Sequence, residues 1–330
     1  DNNTAVGYQA LTLNTTGTSN AAFGKDSLKS NTTGEKNTAV GQKSLDDNTT
    51  GNHNTAVGNQ SLDANTTGSN NVGIGHSALA SNTTADNNVA VGMDSLLSNT
   101  TGNFNTAVGK SAMSSTTTGR VNTAVGGNSL LQNTTGDANV AIGSAALENN
   151  TTADNNTAVG DAALNANTTG GSNDAFGKSA GSDITTGSNN LCVGNLAGTS
   201  GSQITLTTHT DTIVIGNSSH TASYVKTDWT TGSDQRDKTD IQDITTGLSF
   251  VNQLKPKSFW FRKNRDSDVK HGNKKYGFLA QDILALEGSN PVIINNENEN
   301  SLGYQGSHLI PILVNAIKEL SAKVTALEAK

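Results

Sequence analysis

A glycine stands at every seventeenth position from Gly7 to Gly194, twelve times without a slip. A strict period of this length marks a repeat architecture, in which each unit is one small supersecondary element that leans on its neighbours. The residue before the glycine is always apolar, as in Val6, Phe23, Val40, Ile74 and Val193. The residue two before it is small, and four after it comes leucine from Leu11 to Leu164, with Met113 once and then Gly181 and Gly198. Each unit therefore runs Asn-Thr-Ala-Val-Gly, two variable residues, a small one, Leu, two more variable ones, and Asn-Thr-Thr-Gly.

Asn-Thr-Ala-Val predicts a short extended segment. The recurrent glycine offers a positive φ where the chain must turn, and Asn-Thr-Thr-Gly supplies a second turn. One unit is thus one coil with two corners, expected to bury little beyond a Val and a Leu. Only 32% of the chain is hydrophobic and 4% aromatic, so apolar side chains must be used repetitively rather than gathered into one large core. Stacked coils predict an all-β array, a parallel β-roll or β-solenoid over residues 1–206, about 55 to 60 Å long at the roughly 4.8 Å spacing of neighbouring strands. Asparagines at the first and twelfth places of the unit are expected to stack in register and hydrogen-bond along the axis. The recurrent Ala beside Val predicts close approach of another chain, and a trimeric bundle would bury what one thin protomer cannot.

Several other chemistries are disfavoured. Asn-Thr-Thr at Asn14, Asn31 and Asn48 matches a glycosylation acceptor but reads as an architectural turn. The Gly/Asp-rich nonapeptide of calcium-binding β-rolls is missing, and Asp26, Asp46, Asp47 and Asp63 fall at variable places. Adjacent threonines point to opposite faces, unlike the flat Thr-x-Thr array of an ice-binding solenoid. His53 and His76 are expected to be isolated and solvated, so no metal and no cofactor are expected. Cys192 stands where other units have Ala, which predicts a small buried residue rather than a reactive thiol. Residues 1–233 hold 8 Lys/Arg against 16 Asp/Glu, net −8, and residues 234–330 hold 13 against 12, net +1; neither half has the charge of a nucleic-acid binder. No apolar run approaches the roughly 20 residues of a membrane span, and no signal-peptide pattern is present, so no membrane insertion is expected. The first residues already lie inside the repeat, and the sequence is expected to be part of a longer polypeptide.

After Gly198 the period breaks. Thr212-Ile213-Val214-Ile215-Gly216 repeats the strand-and-glycine theme 22 residues after Gly194, which predicts a closing coil with an insertion. Residues 207–232 accordingly read as a cap, protecting the last strand edge, and a linker anchored by Trp229. Residues 233–330 have the mixed composition of a small α+β domain. A short helix over Gly247–Leu254 stops before Pro256, a strand covers Lys257–Arg262, and a solvated basic turn is expected from Arg262 to Lys275. A second helix is expected over Tyr276–Leu286, ended by Gly288 and Pro291. In the terminal helix, with Pro311 near its first turn, Leu313, Ile317, Leu320, Val324 and Leu327 follow 4-3-4-3 spacing, the seam of a short coiled coil. On the boundary between array and domain, Ser233 and Lys238 stand five residues apart with nothing bulky between them, the minimum equipment for a serine nucleophile served by an amine base.

The coil resembles the head repeat of trimeric autotransporter adhesins and is similar to repeats in phage tail-fibre proteins, although the adhesin coil is usually shorter. A second resemblance rests on Ser233-Asp234-x-Arg236-x-Lys238, Gly247-Leu248 through Leu254-Lys255-Pro256, Tyr276-Gly277-Phe278-x-Ala280-Gln281 and the terminal Leu-Ile-Pro-Ile-Leu-Val-x-Ala-Ile-Lys-Glu-Leu. Together these resemble the intramolecular chaperone domain of phage endosialidases, tail spikes and tail fibres. The resemblance implies a domain, here 233–330, that trimerises, assists assembly of the fibre before it and then cuts itself off. It places the catalytic serine and lysine on Ser233 and Lys238, with Asp234 and Arg236 as supporting motif residues. Asp237 departs from the apolar residue often found before that lysine, and His308 interrupts the usual approach to the terminal helix.

A serine hydroxyl needs a neutral amine to take its proton, so the lysine must lose its charge through burial, which a trimer would supply. Attack of Ser233 Oγ on the carbonyl of Gly232 passes through a five-membered ring, whereas attack on its own carbonyl needs a strained four-membered one. A serine from a neighbouring chain escapes that limit, so the cut is placed next to Ser233, before it at Gly232 or after it at Asp234. The expectation is a homotrimeric phage tail fibre, made in the host cytoplasm and carried extracellularly on the virion, that attaches to a host glycan or surface protein. Its enzymatic activity would be single-turnover self-cleavage. The alternatives are a bacterial surface adhesin and, through the resemblance to the cleavage domain of myelin regulatory factors, a membrane-tethered transcription factor. The adhesin would be expected to end in a membrane anchor and the transcription factor to carry a basic region, whereas residues 1–233 are acidic.

Overall fold

The computed structural model describes residues 2–202, 204–220, 233–262, 268–296 and 302–330. The chain divides into two compact units, Asp1–Ser218 and Ser219–Lys330.

The first unit is a parallel β-solenoid. Its strands are three residues long, from β1 (Thr4–Val6) through β4 (Thr55–Val57) to β12 (Leu191–Val193), and β13 (Ile213–Ile215) follows the break in period. All thirteen lie in one sheet in chain order, and each pairs in register with the equivalent residues one coil on, as Thr38, Ala39 and Val40 pair with Thr55, Ala56 and Val57. The glycine after each strand takes the expected positive φ, 136° at Gly58. The leucine corner is also left-handed, with Leu62 at φ 53°, an uncommon conformation for a non-glycine residue.

The interior differs from the sequence expectation. Ala56 and Leu62 are fully buried, whereas Val57 is 36% exposed. Alternate residues of a strand face opposite ways, so a three-residue strand sends only its middle side chain inward. The left-handed corner drives the leucine across the coil, leaving room opposite it for only a methyl group. The recurrent Ala is therefore explained by packing inside its own coil rather than by approach of another chain. The Val, Ile and Phe residues form an outward column running from Val6 to Ile215.

The rest of the interior is polar, and nearly all of it is hydrogen-bonded. Asn48 Nδ2 donates to Asn31 Oδ1 at 2.8 Å and to Gly51 O at 3.1 Å, while Asn37 Nδ2 donates to the same glycine carbonyl at 2.8 Å. The Asn54 backbone N–H donates to Asn37 Oδ1 at 2.9 Å, and Thr49 Oγ1 donates to Thr66 O at 2.9 Å. Repeated coil after coil, these bonds satisfy amides that would each cost about 1–3 kcal/mol if buried unpaired. The column of twelfth-place asparagines is interrupted by Thr116 and ends at Ile184, and the carbonyl oxygens below those breaks, Asn99 Oδ1 and Asn167 Oδ1, have no partner; neither does Thr116 Oγ1. Thr116→Asn is expected to restore donors to Asn99 Oδ1 and Gly119 O and an acceptor for Asn133 Nδ2. The expected gain is about 1–2 kcal/mol, read as a higher denaturant midpoint with unchanged slope. An unchanged or lower midpoint would contradict this account of the ladder.

In the last two regular coils Gly181 and Gly198 replace the corner leucine, and the space is filled from the other corner. A Cβ on Gly181 would lie 3.2 Å from Ile184 Cδ1, and one on Gly198 would lie 3.2 Å from Leu206 Cδ1. Cys192 occupies the inward strand position there, fully buried, and burial pushes its thiol up to about 11, which suits an inert packing residue. His53 is exposed, but His76 is not isolated: its Nδ1 lies 3.1 Å from Oγ of its chain neighbour Ser77 and 3.8 Å from Oδ1 of Asp94, the residue that stands at the place of Ser77 one coil on.

The second unit contains α1 (Leu248–Val251), the hairpin β14 (Lys257–Arg262) and β15 (Lys270–Gly277), α2 (Ala280–Glu287), the short pair β16 (Ile294–Asn295) and β17 (Gly303–Tyr304), and α3 (Leu309–Glu328). Where a solvated basic turn was expected, residues 270–277 form β15, antiparallel to β14. Its lysines are held by the aromatic strand opposite, with Lys270 Nζ 4.2 Å and Lys274 Nζ 5.5 Å from the Trp260 ring centre. Because Tyr276 and Gly277 belong to β15, α2 starts at Ala280 rather than Tyr276, and it ends at Gly288 with φ 76°. Ile283, Ile293, Ile294 and Leu309 form the small core, joined by Phe250, Leu254, Phe278 and Ile312. Among the described residues no helix is long and apolar enough to cross a membrane.

Candidate functional site

Ser233 is the next described residue after His220. Asp234 follows in an extended conformation, φ −67° and ψ 136°, and caps a single 3₁₀ turn, Gln235–Asp237. Its carboxylate accepts the Arg236 backbone N–H at 2.9 Å, and the turn closes with Asp237 N–H donating to Asp234 O and Lys238 N–H to Gln235 O, both 3.2 Å. The turn reverses the chain and brings Lys238 back onto Ser233. Lys238 Nζ lies 2.7 Å from Ser233 Oγ and 3.1 Å from Ser233 O.

The Arg236 guanidinium folds onto the same carboxylate, Nη2 at 2.6 Å from Oδ2 and Nε at 3.1 Å from both oxygens. That bidentate contact, together with the backbone N–H, holds Asp234 below the usual carboxylate range. The residues from Ser233 to Lys238 are all exposed in the single chain. Gly232, expected to flank the cut, and Trp229, expected to anchor the linker, lie outside the described residues. No group of three or more His, Cys, Asp or Glu side chains converges as a metal site among the described residues.

The expected seam residues Leu313, Ile317, Leu320, Val324 and Leu327 are all exposed on α3, while Leu309 and Ala316 of the same helix are buried. What the sequence leaves unassigned is Glu319. Its Oε2 accepts the Leu248 N–H at 3.0 Å, tying the start of α1 to α3, while Asn315 Nδ2 donates to Ile244 O at 3.2 Å and Thr246 O at 3.0 Å. These bonds span about 70 residues, and in the sequence nothing but Gly247, whose Cβ would strike Glu319 Oε1, hints at them.

The described residues thus form a parallel β-solenoid followed by a small α+β domain, with Lys238 Nζ and Ser233 Oγ in hydrogen-bond contact near the start of that domain. Residues 233–288 match the family model described as Chaperone of endosialidase, a family of self-cleaving intramolecular chaperone domains. The match begins at Ser233 and covers the Ser–Lys pair, α1, the hairpin and α2. No curated protein matches the chain.

Proposed function

We propose that the chain is a segment of a homotrimeric phage tail fibre or spike, whose C-terminal domain drives assembly of the solenoid and then removes itself by cleavage next to Ser233. The observation that carries this reading is the 2.7 Å contact between Lys238 Nζ and Ser233 Oγ at the first residue of the family match. Two exposed apolar columns support the trimer: the Val/Ile/Phe column of the array and the five-residue seam of α3. Assembly would also bury the dyad, favouring the neutral amine that the chemistry needs. The surface of the released shaft would meet a host glycan or surface protein.

In the reaction as proposed within one chain, Lys238 Nζ takes the Ser233 hydroxyl proton and Oγ bonds to the Gly232 carbonyl carbon. The Gly232–Ser233 amide bond then breaks, its nitrogen taking the proton from Lys238 to become a free amine. Water hydrolyses the resulting ester, leaving a carboxylate on Gly232 and restoring the hydroxyl. Intact mass and light scattering on the freshly expressed protein test the reading together. The expected result is a trimeric shaft and a separate fragment of 98 residues, the length of 233–330, or of 97 residues if the cut instead follows Ser233. A monodisperse, uncut monomer would overturn it.

A further inference from the structure

We infer that Asp234 and Arg236 act as one positioning device, a clasp that folds the 3₁₀ turn so that Lys238 meets Ser233. The inference rests on the proposed self-cleavage and assigns a role in it to two residues that do not touch the reacting atoms.

The geometry makes the need plain. Five extended residues would separate the Cα atoms of Ser233 and Lys238 by about 17 Å, far beyond the reach of a lysine side chain. Only a chain reversal closes that gap, and one isolated 3₁₀ turn has poor intrinsic stability. Its two backbone bonds are both long, 3.2 Å. The shorter contacts are those of the Asp234 carboxylate, which accepts the backbone N–H and the guanidinium of Arg236 at once. An aspartate that bonds the N–H two residues on forms a local turn of its own, and the arginine fork fixes that carboxylate in one orientation. Arg236 otherwise points into solvent and makes no other side-chain contact in the described hydrogen bonds and ion pairs. A pair so exposed adds little to fold stability. Its effect should therefore appear in the reaction, where a displacement of about 1 Å costs up to 100-fold in rate.

The test follows fragment release from the full-length chain, measured only on size-selected assembled trimers so that folding losses do not enter. Asp234→Ala is expected to slow release about 10- to 100-fold, and Asp234→Asn, which keeps an oxygen for the backbone N–H but loses the charged grip on the guanidinium, about 3- to 10-fold. Arg236→Ala should resemble Asp234→Asn. The double variant Asp234→Ala/Arg236→Ala should be no slower than Asp234→Ala, because the two residues act as a unit. A positioning role lowers the plateau of the pH–rate profile and leaves its midpoint in place. A displaced midpoint would mean that the carboxylate acts on the lysine by charge, which overturns the clasp. Ser233→Ala and Lys238→Ala run beside these variants. If they still cleave, the self-cleavage reading fails; if they are silent while Asp234→Ala cleaves at the parent rate, only the clasp fails.

Discussion

Ser233→Ala and Lys238→Ala are each expected to leave a full-length, assembled chain, while the unaltered protein releases its C-terminal fragment. The contact that motivates this is a single one, Lys238 Nζ to Ser233 Oγ at 2.7 Å, and each substitution removes one end of it. Without the hydroxyl there is no nucleophile; without the amine the hydroxyl keeps its proton. The two changes should therefore fail alike, and the double variant should be no worse than either, as is usual for groups that act as a unit. The expected loss is complete on the time scale of expression, a fall of at least about 10³-fold. Both side chains are exposed and contribute nothing to the core formed around Ile283 and Leu309, so melting behaviour should survive. Release should not depend on protein concentration once trimers exist, because the reaction is internal to the assembly. Denaturing gels with N-terminal sequencing read both the amount of fragment and its first residue. A fragment beginning at Ser233 supports the five-membered route through Gly232, and one beginning at Asp234 supports attack from a neighbouring chain. Undiminished release from Ser233→Ala would rule out the dyad and point to an outside protease.

Much of the array was legible because a period constrains everything that shares it. The strands, the positive φ of the recurrent glycine and the asparagine columns all follow from stacking like on like. The inward face was not legible, because Thr-Ala-Val alternates for so short a stretch that hydrophobicity alone places Val inside. The deciding fact, that Leu62 turns inward from a left-handed corner, has no propensity signal, since leucine seldom adopts φ 53°. In the second unit the aromatic strand β14 announced itself, but its partner did not. Lys270, Lys274 and Lys275 read as solvated until Trp260 supplies a ring for two of them. The Ser–Lys pair was found by spacing and motif. Asp234 and Arg236 beside it read in the sequence only as supporting motif residues, because a carboxylate that caps a turn and grips an arginine looks there like any exposed charged pair.

Gly92→Ala is expected to do far more damage to the solenoid than Gly68→Ala, although both are glycines at coil corners of nearby units. Gly92 has φ 133°, a conformation that side-chain-bearing residues rarely adopt, and a Cβ there would stand 2.5 Å from Gly109 O and 2.7 Å from its carbonyl carbon. The obstructing atoms are backbone of the next coil, itself fixed by the Gly109 N–H donating to Val91 O at 2.8 Å, so relief requires the two coils to part. Gly68 is crowded no less, by the backbone Ala85 O of the next coil and by Asn65 Oδ1, so the difference lies in the backbone: Gly68 needs no positive φ, and the chain itself carries Ala85 and Ala153 at the equivalent place. Strain plus overpacking at Gly92 should cost at least about 3 kcal/mol, against about 1 kcal/mol or less at Gly68. Because each coil touches only its neighbours, stability is a sum of coil terms and interface terms, and a broken interface uncouples the segments on either side. The expected reading for Gly92→Ala is thus a lowered transition that also broadens or splits in two, while Gly68→Ala keeps one transition close to the parent's. Equal effects from the two substitutions would show that the left-handed glycine corner is not what sets the spacing of the coils.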